Sequence, residues 1–106
     1  MAKVLIWLAS GDRDKLMPGI LWGLNAKRNH WVDEVRMVVF GESEQLLARD
    51  EALFNMVQEV EGALYCRHVA EQQGNVDTLE NRGAEVAYVG KPIAEMIGEG
   101  FQVLTF

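Results

Sequence analysis

The chain has 106 residues, of which 49% are hydrophobic and 25% are charged, and its net charge is −6. This size and composition predict one globular domain over residues 1–106 with a hydrophobic core of its own, and they exclude a disordered chain. The excess of acidic side chains argues against nucleic acids and anionic membrane surfaces as partners, because both attract clustered Lys and Arg.

A single cysteine, Cys66, rules out an intrachain disulfide and fits the reducing cytoplasm. The apolar start of the chain, residues 1–8, is too short for a signal-peptide core followed by a cleavage site. No later apolar stretch approaches the ~20 residues that cross a bilayer. We therefore expect a cytoplasmic protein that does not enter a membrane.

The predicted elements begin with a buried strand and an amphipathic helix. The apolar run at residues 3–8 is typical of a strand that is buried on both faces. Apolar side chains at every fourth position from Leu16 to Leu24 then predict a helix, with Pro18 in its first turn, where a missing N–H costs little. The cationic side chains of Lys27 and Arg28, followed by Asn29, are typical of its end.

A second strand and a long helix follow. The run V-R-M-V-V-F predicts a strand at residues 35–40, which ends at Gly41. Residues 42–60 predict one continuous helix with leucine, phenylalanine and valine on one face. Acidic side chains, Glu44 among them, fall mostly on the opposite face, which we predict to be solvated.

The middle of the chain predicts a short strand and an interrupted helix. The apolar residues 63–66 are expected to form the third strand. Residues 68–79 follow a helical pattern, but Gly74-Asn75 lies inside it, so we expect a shorter or irregular helix there.

The end of the chain predicts two strands around one helix. The strands are expected at residues 85–89 and 102–105. The helix between them opens at Gly90-Lys91-Pro92, with proline near its first position, and ends at Gly98 and Gly100. Its buried stripe is expected to consist of Ile93, Met96 and Ile97.

This alternation of strands and helices predicts an α/β fold in which a mainly parallel sheet has helices on both faces. In such sheets, binding and catalytic residues lie at the carboxyl ends of the strands. The four candidate ends are Ser10-Gly11-Asp12, Phe40-Gly41-Glu42, Cys66-Arg67-His68 and Val89-Gly90-Lys91.

These strand ends lack the motifs of the commonest cofactor sites in this architecture. The loop at residues 10–15 does not match G-x-G-x-x-G, and its aspartates would repel a pyrophosphate or the phosphate of FMN. A P-loop is absent, and Cys66 stands where a phospho-receiver domain has an aspartate. We therefore expect no cofactor.

Cys66 is the main candidate for a reactive residue. It follows a predicted parallel strand, where the unpaired N–H groups of the next helix and the adjacent Arg67 and His68 would favour its thiolate form. A thiolate is the nucleophile of covalent sulfur chemistry. The alternative is a small buried side chain, because free cysteine is among the residue types most often found in cores.

Other clusters predict less. Cys66, His68 and His30 offer too few ligands for a closed zinc site, so we expect no metal. Trp7 is predicted to be a core residue. Trp22 lies off the stripe of the first helix and suits either a partner chain or a neighbouring helix.

Two segments resemble the small DsrE/DsrF-like proteins. Residues 63–68, A-L-Y-C-R-H, are similar to the strand-end cysteine region of that family. Residues 85–101 are similar to its ending, in which a strand and a short helix lead through a Glu-Gly-aromatic turn into the last strand. The strands at residues 3–8 and 35–40 also fit, whereas residues 67–83 are longer and more polar than the corresponding stretch of the family.

The resemblance implies a three-layer α/β/α domain with a five-stranded, mainly parallel sheet, assembled as an oligomer, commonly a trimer or hexamer. It also implies sulfur relay, in which a strand-end cysteine, here Cys66, carries sulfane sulfur as a persulfide between a donor and an acceptor. No cofactor is needed, and Arg67 or His68 would support the thiolate. Whether the chain is a sulfurtransferase enzyme stays open, and the alternative is a non-catalytic oligomeric binding subunit with a structural cysteine.

Overall fold

The computed structural model describes residues 2–106 and arranges them around one sheet. The strands are β1 (Lys3–Leu8), β2 (Glu34–Val39), β3 (Leu64–Cys66), β4 (Glu85–Ala87) and β5 (Gln102–Thr105). The helices are α1 (Arg13–Arg28), α2 (Ser43–Arg49), α3 (Glu51–Gln58), α4 (Arg67–Gln73), α5 (Val76–Asn81) and α6 (Gly90–Gly98).

The sheet has five strands in the order β4-β3-β2-β1-β5, and every neighbouring pair is parallel. The predicted α/β fold with a mainly parallel sheet is therefore confirmed. All five predicted strands are present, with bounds that differ by at most two residues. In the register, Trp7 lies opposite Val38 and Cys66 lies opposite Ala87.

The two faces of the sheet are covered unequally. Val4, Ile6 and Leu8 of β1 point into a large core formed with α1 to α5. Leu5 belongs to a smaller core on the other face, to which α6 contributes Ile93 and Met96. The reason is connectivity: β1 to β4 lie in sequence order, so their crossovers share one face, and α6 alone carries the chain back to β5.

The single helix predicted over residues 42–60 is wrong, because the chain forms α2 and α3 with a break at Asp50. Asp50 leaves the helical region, with φ −107° and ψ 91°. Its carboxylate accepts a hydrogen bond from the Leu53 N–H at 3.0 Å and pairs with Arg13 at 2.9 Å. Both interactions lower the pKa of Asp50, the backbone hydrogen bond most. Asp50 is thus an N-cap inside an uninterrupted apolar stripe.

Two further predictions about helices need correction. α1 begins at Arg13, because the Asp12 carboxylate accepts the Asp14 N–H at 2.9 Å and caps the helix, so Pro18 lies in the second turn. Ile97 of α6 is 55% exposed and is not part of the buried stripe. The predicted interruption at Gly74 is confirmed, since it separates α4 from α5 with φ +72°.

In the described part of the chain, residues 2–106, no helix has both the length and the apolar character needed to span a bilayer.

Candidate functional site

Cys66 lies where two neighbouring strands continue to opposite faces of the sheet. β3 leads into α4 on the face that carries the large core, whereas β4 leads into α6 on the opposite face. β3 and β4 are parallel neighbours, so their carboxyl ends lie side by side, with Cys66 opposite Ala87. Binding and catalytic residues of α/β sheets lie at the carboxyl ends of the strands.

Cys66 is the last residue of β3 and the N-cap residue of α4. Its side chain makes no capping hydrogen bond, which departs from the expected contact with the helix N–H groups. The residue is only 3% exposed and belongs to the smaller core, together with Leu64, Val89 and Ile93. The thiol is free and covered mainly by apolar side chains.

The two predicted supporting residues point in different directions. Arg67 donates from Nη2 to a Glu80 carboxylate oxygen at 3.0 Å and to the Val86 carbonyl at 3.3 Å. It therefore ties α4 to α5 and β4. His68 is exposed. Thus Arg67 is engaged in contacts with α5 and β4, and His68 faces solvent.

Tyr88 and Glu71, which the sequence did not single out, join the end of β4 to α4 near Cys66. The Tyr88 hydroxyl donates to a Glu71 carboxylate oxygen at 3.1 Å. This hydrogen bond is the largest of several causes that raise the pKa of Tyr88, and the nearby Cys66 adds a small effect of the same sign. One feature of the sequence could have pointed to Glu71: it lies four residues after Arg67, so the two side chains are neighbours on one face of the predicted helix.

Glu44 contradicts the prediction of a solvated acidic face, because it is 0% exposed. It lies one helical turn before the buried Leu47 and shares its face, and α2 also contacts α4. One carboxylate oxygen accepts the Gly41 N–H at 3.5 Å, while the other has no hydrogen-bond partner among the described residues. Burial raises the pKa of Glu44 to about 8.

The tryptophans lie in two places. Trp7, predicted to be a core residue, is half-buried on the α6 face, where its ring stacks on Phe40 with centroids 5.3 Å apart. Its indole N–H donates to the Phe40 carbonyl at 3.1 Å. Trp22 packs against the large core and lies 6.4 Å from the ring of Trp31, which is 54% exposed. Trp22 thus contacts its own chain and also borders an exposed ring.

The amino ends of the strands carry a separate groove of about 450 Å³. Its walls combine cations and carboxylates, among them Lys27, Arg36 and Glu61. His30 follows the end of α1 and so lies at this edge, opposite to Cys66. Among residues 2–106, no three His, Cys, Asp or Glu side chains are grouped to hold a metal ion.

Two known structures share this fold. One is a conserved protein of unknown function, BT1422 from Bacteroides thetaiotaomicron, with TM-score 0.87 and 22% identity over 98% of this chain and 94% of that chain. The other is a protein of unknown function, MTH1491 from Methanobacterium thermoautotrophicum, with TM-score 0.69 and 20% identity over 100% of both chains. No protein-family profile and no curated protein matches the sequence. The chain is similar to both proteins in fold.

Proposed function

We propose that this chain is a small sulfur-relay protein of the DsrE/DsrF-like type, in which Cys66 carries sulfane sulfur as a persulfide. The observation that supports the proposal is the position of Cys66 at the carboxyl end of β3, beside the carboxyl end of β4. The carboxyl ends of the strands are the side of a parallel α/β sheet that holds binding and catalytic residues. Cys66 is also the only nucleophilic thiol in the sequence.

The chemistry needs no cofactor. The Cys66 thiolate attacks the outer sulfur of a donor persulfide, a new S–S bond forms on Cys66, and the donor leaves as a thiolate. In the second half-reaction, an acceptor thiolate attacks the outer sulfur and Cys66 leaves, so no net oxidation occurs. Because Arg67 already binds Glu80, the exposed His68 is the supporting side chain left to meet an anionic persulfide.

The direct test is the mass of the protein after incubation with an inorganic polysulfide. Wild-type protein should gain about 32 Da per added sulfur atom, and the gain should be reversed by a thiol reductant. Cys66→Ala and Cys66→Ser should both lack the adduct. Alanine keeps the site apolar, whereas the serine hydroxyl in this buried position should cost about 1–3 kcal/mol of unfolding free energy.

Two results would overturn the proposal. One is a wild-type thiol that reacts readily with iodoacetamide under native conditions and yet gains no sulfur. The other is an adduct that persists in Cys66→Ala, since the sulfur would then be bound elsewhere.

A second candidate is a non-catalytic binding subunit in which Cys66 is structural. The 3% exposure of Cys66 within an apolar cluster favours this alternative. In that case the thiol should react only when the whole domain unfolds, and its reaction rate should follow global stability in urea. A thiol that reacts faster than global unfolding allows would contradict this alternative.

Either function is proposed for a homo-oligomer, a trimer or hexamer, in the cytoplasm, where a lone thiol stays reduced. A protein sulfur donor or acceptor would be a further partner of the relay. Several large apolar side chains are exposed on the single chain and are available for subunit contacts. They are Leu21, Trp31, Tyr88, Ile97, Val103 and Leu104.

Light scattering tests the assembly. At micromolar concentration, we expect a particle of three or six times the chain mass of 11.9 kDa. β5 is an edge strand with exposed Val103 and Leu104. If this edge contributes to the contact between subunits, Leu104→Lys should reduce the particle mass. Glu95→Lys, at an exposed position of α6, should leave the particle mass unchanged. A wild-type particle of the mass of one chain would contradict the prediction.

A further inference from the structure

We propose that α6 is a lid over Cys66, and that the thiol reacts through local opening of this helix rather than through a permanent channel. The purpose of the lid rests on the proposed sulfur relay. Its existence concerns only how solvent reaches the thiol, so the two can be tested separately.

α6 and its flanks form the cover of the smaller core. Cys66 shares that core with Val89, which precedes α6, with Ile93 and Met96 of α6, and with Phe101, which follows it. Among residues 2–106, no other helix contributes a fully buried side chain to this face, and α4 adds only the partly buried Val69. Displacing α6 would therefore uncover Cys66 while leaving the large core on the opposite face intact.

The attachment of α6 differs from that of the other helices. Ion pairs join Arg13 to Asp50, Arg28 to Glu59 and Arg67 to Glu80, all between elements of the large-core face. Within residues 2–106, no side-chain hydrogen bond or ion pair joins α6 to another element. Its polar side chains Lys91 and Glu95 are exposed. α6 is thus held by the apolar contacts of Ile93 and Met96.

Both ends of α6 carry glycine, a residue that is common at hinges. Gly90 begins the helix and Gly98 ends it, and neither has any heavy atom near the position that a Cβ would take. Gly100 has φ +93°, which glycine adopts without strain. Beyond it, Phe101 is buried and Lys3 lies 5.2 Å over its ring, so that flank is anchored. Movement would therefore concentrate at the glycines.

The lid would give a carrier two states with different exposure of its sulfur. In the closed state Cys66 is 3% exposed, so water and soluble reductants are kept from its thiol. In the open state a donor or acceptor thiol reaches it. Because α6 packs on the opposite face from the large core and has no side-chain hydrogen bond or ion pair to another element among residues 2–106, it can open locally while the large core stays folded.

The test is the rate at which iodoacetamide alkylates Cys66 in native buffer, measured with a matched pair of variants. Ile93→Ala truncates one of the two buried side chains of α6, and Ile20→Ala truncates the same side chain in the large core on the opposite face. Loss of a buried Ile is large enough that Ile93→Ala should raise the native rate by about 30-fold or more. Ile20→Ala should leave the native rate within about twofold, although it lowers global stability.

Two milder changes keep the test valid if the alanine variants fold poorly. Ile93→Val against Ile20→Val should show the same contrast at about two- to tenfold. Gly98→Ala should strengthen α6, because alanine favours a helix more than glycine does and space is open there, and it should slow alkylation by about threefold.

The outcomes are distinct. If the rate rises equally in both isoleucine variants, in proportion to their loss of global stability in urea, the thiol is reached by global unfolding and there is no lid. If the wild-type thiol reacts as fast as free cysteine, no lid is needed either. If the lid variants behave as expected but polysulfide adds no sulfur, the lid is supported and the relay is contradicted. If polysulfide loads the wild type and the lid variants at the same rate, the relay is supported and the lid is contradicted.

Discussion

Glu44→Gln is expected to stabilise the protein at about pH 9 by about 2–3 kcal/mol and to leave its stability almost unchanged at about pH 4. The glutamate is 0% exposed, and burial raises its pKa from 4.5 to about 8. In the unfolded chain the carboxyl ionises near its ordinary pKa, so above that pH folding must either return a proton to it or bury its charge. Glutamine has a similar shape and needs no proton.

The sign of the pH dependence follows from this raised pKa. Below about pH 4.5 the carboxyl is protonated in both states, and its contribution to stability is fully present. As the pH rises towards about 8, the unfolded chain loses its proton first, so the free energy of unfolding falls. Above that range the native state holds a buried carboxylate that has only one weak hydrogen bond, from Gly41.

Urea unfolding of wild type and variant at both pH values measures the effect. Glu42→Gln is the matched control, since Glu42 is exposed, lies two residues before Glu44 and loses the same charge. Its stability difference should stay within about 0.5 kcal/mol at both pH values. Equal gains for the two variants would attribute the effect to net charge and would contradict a buried, protonated Glu44.

Gly41→Ala is expected to destabilise the protein by about 3 kcal/mol or more, for two reasons that act together. Gly41 lies between β2 and α2 with φ +136°, a backbone conformation that residues other than glycine rarely adopt. A Cβ there would lie 2.8 Å from the Ala9 carbonyl oxygen, a backbone atom of the loop after β1. Moving this oxygen would disturb the hydrogen bond that it accepts from the Ser43 N–H at 3.2 Å.

Gly74→Ala separates the two reasons. Gly74 also has a positive φ, +72°, but no heavy atom lies within 4 Å of the position that a Cβ would take, so the substitution should cost only about 1 kcal/mol of backbone strain. Chemical unfolding of both variants under identical conditions gives the comparison. A loss for Gly41→Ala no larger than that for Gly74→Ala would show that the loop at Ala9 adapts without cost.

Local pattern determined the strands and the class of fold. A parallel strand between two layers is buried on both faces, so it appears in the sequence as a short continuous apolar run, as at residues 3–8 and 63–66. The interruption at Gly74 was also predictable, because glycine readily adopts the left-handed conformation that ends α4. The position of Cys66 at the end of a strand could also be predicted locally, because it is the last residue of the apolar run at residues 63–66.

Local pattern failed where a polar residue took a role that depends on distant partners. Asp50 lies within a helical stripe, and its choice of capping over helix continuation is supported by Arg13, 37 residues away. Glu44 shares the face of Leu47, but its charge suggested solvent, and only the tertiary packing of α2 buries it. The Tyr88–Glu71 bridge likewise requires β4 to lie beside β3.

The surroundings of Cys66 were decided by the tertiary structure. The sequence by itself determined that a cysteine ends a parallel strand, because that follows from an apolar run and the residues after it. It did not determine that β4 pairs with β3 or that α6 crosses the opposite face, since strand order arises from contacts between residues far apart in the chain. Those contacts bury the thiol to 3% exposure and make α6 its cover.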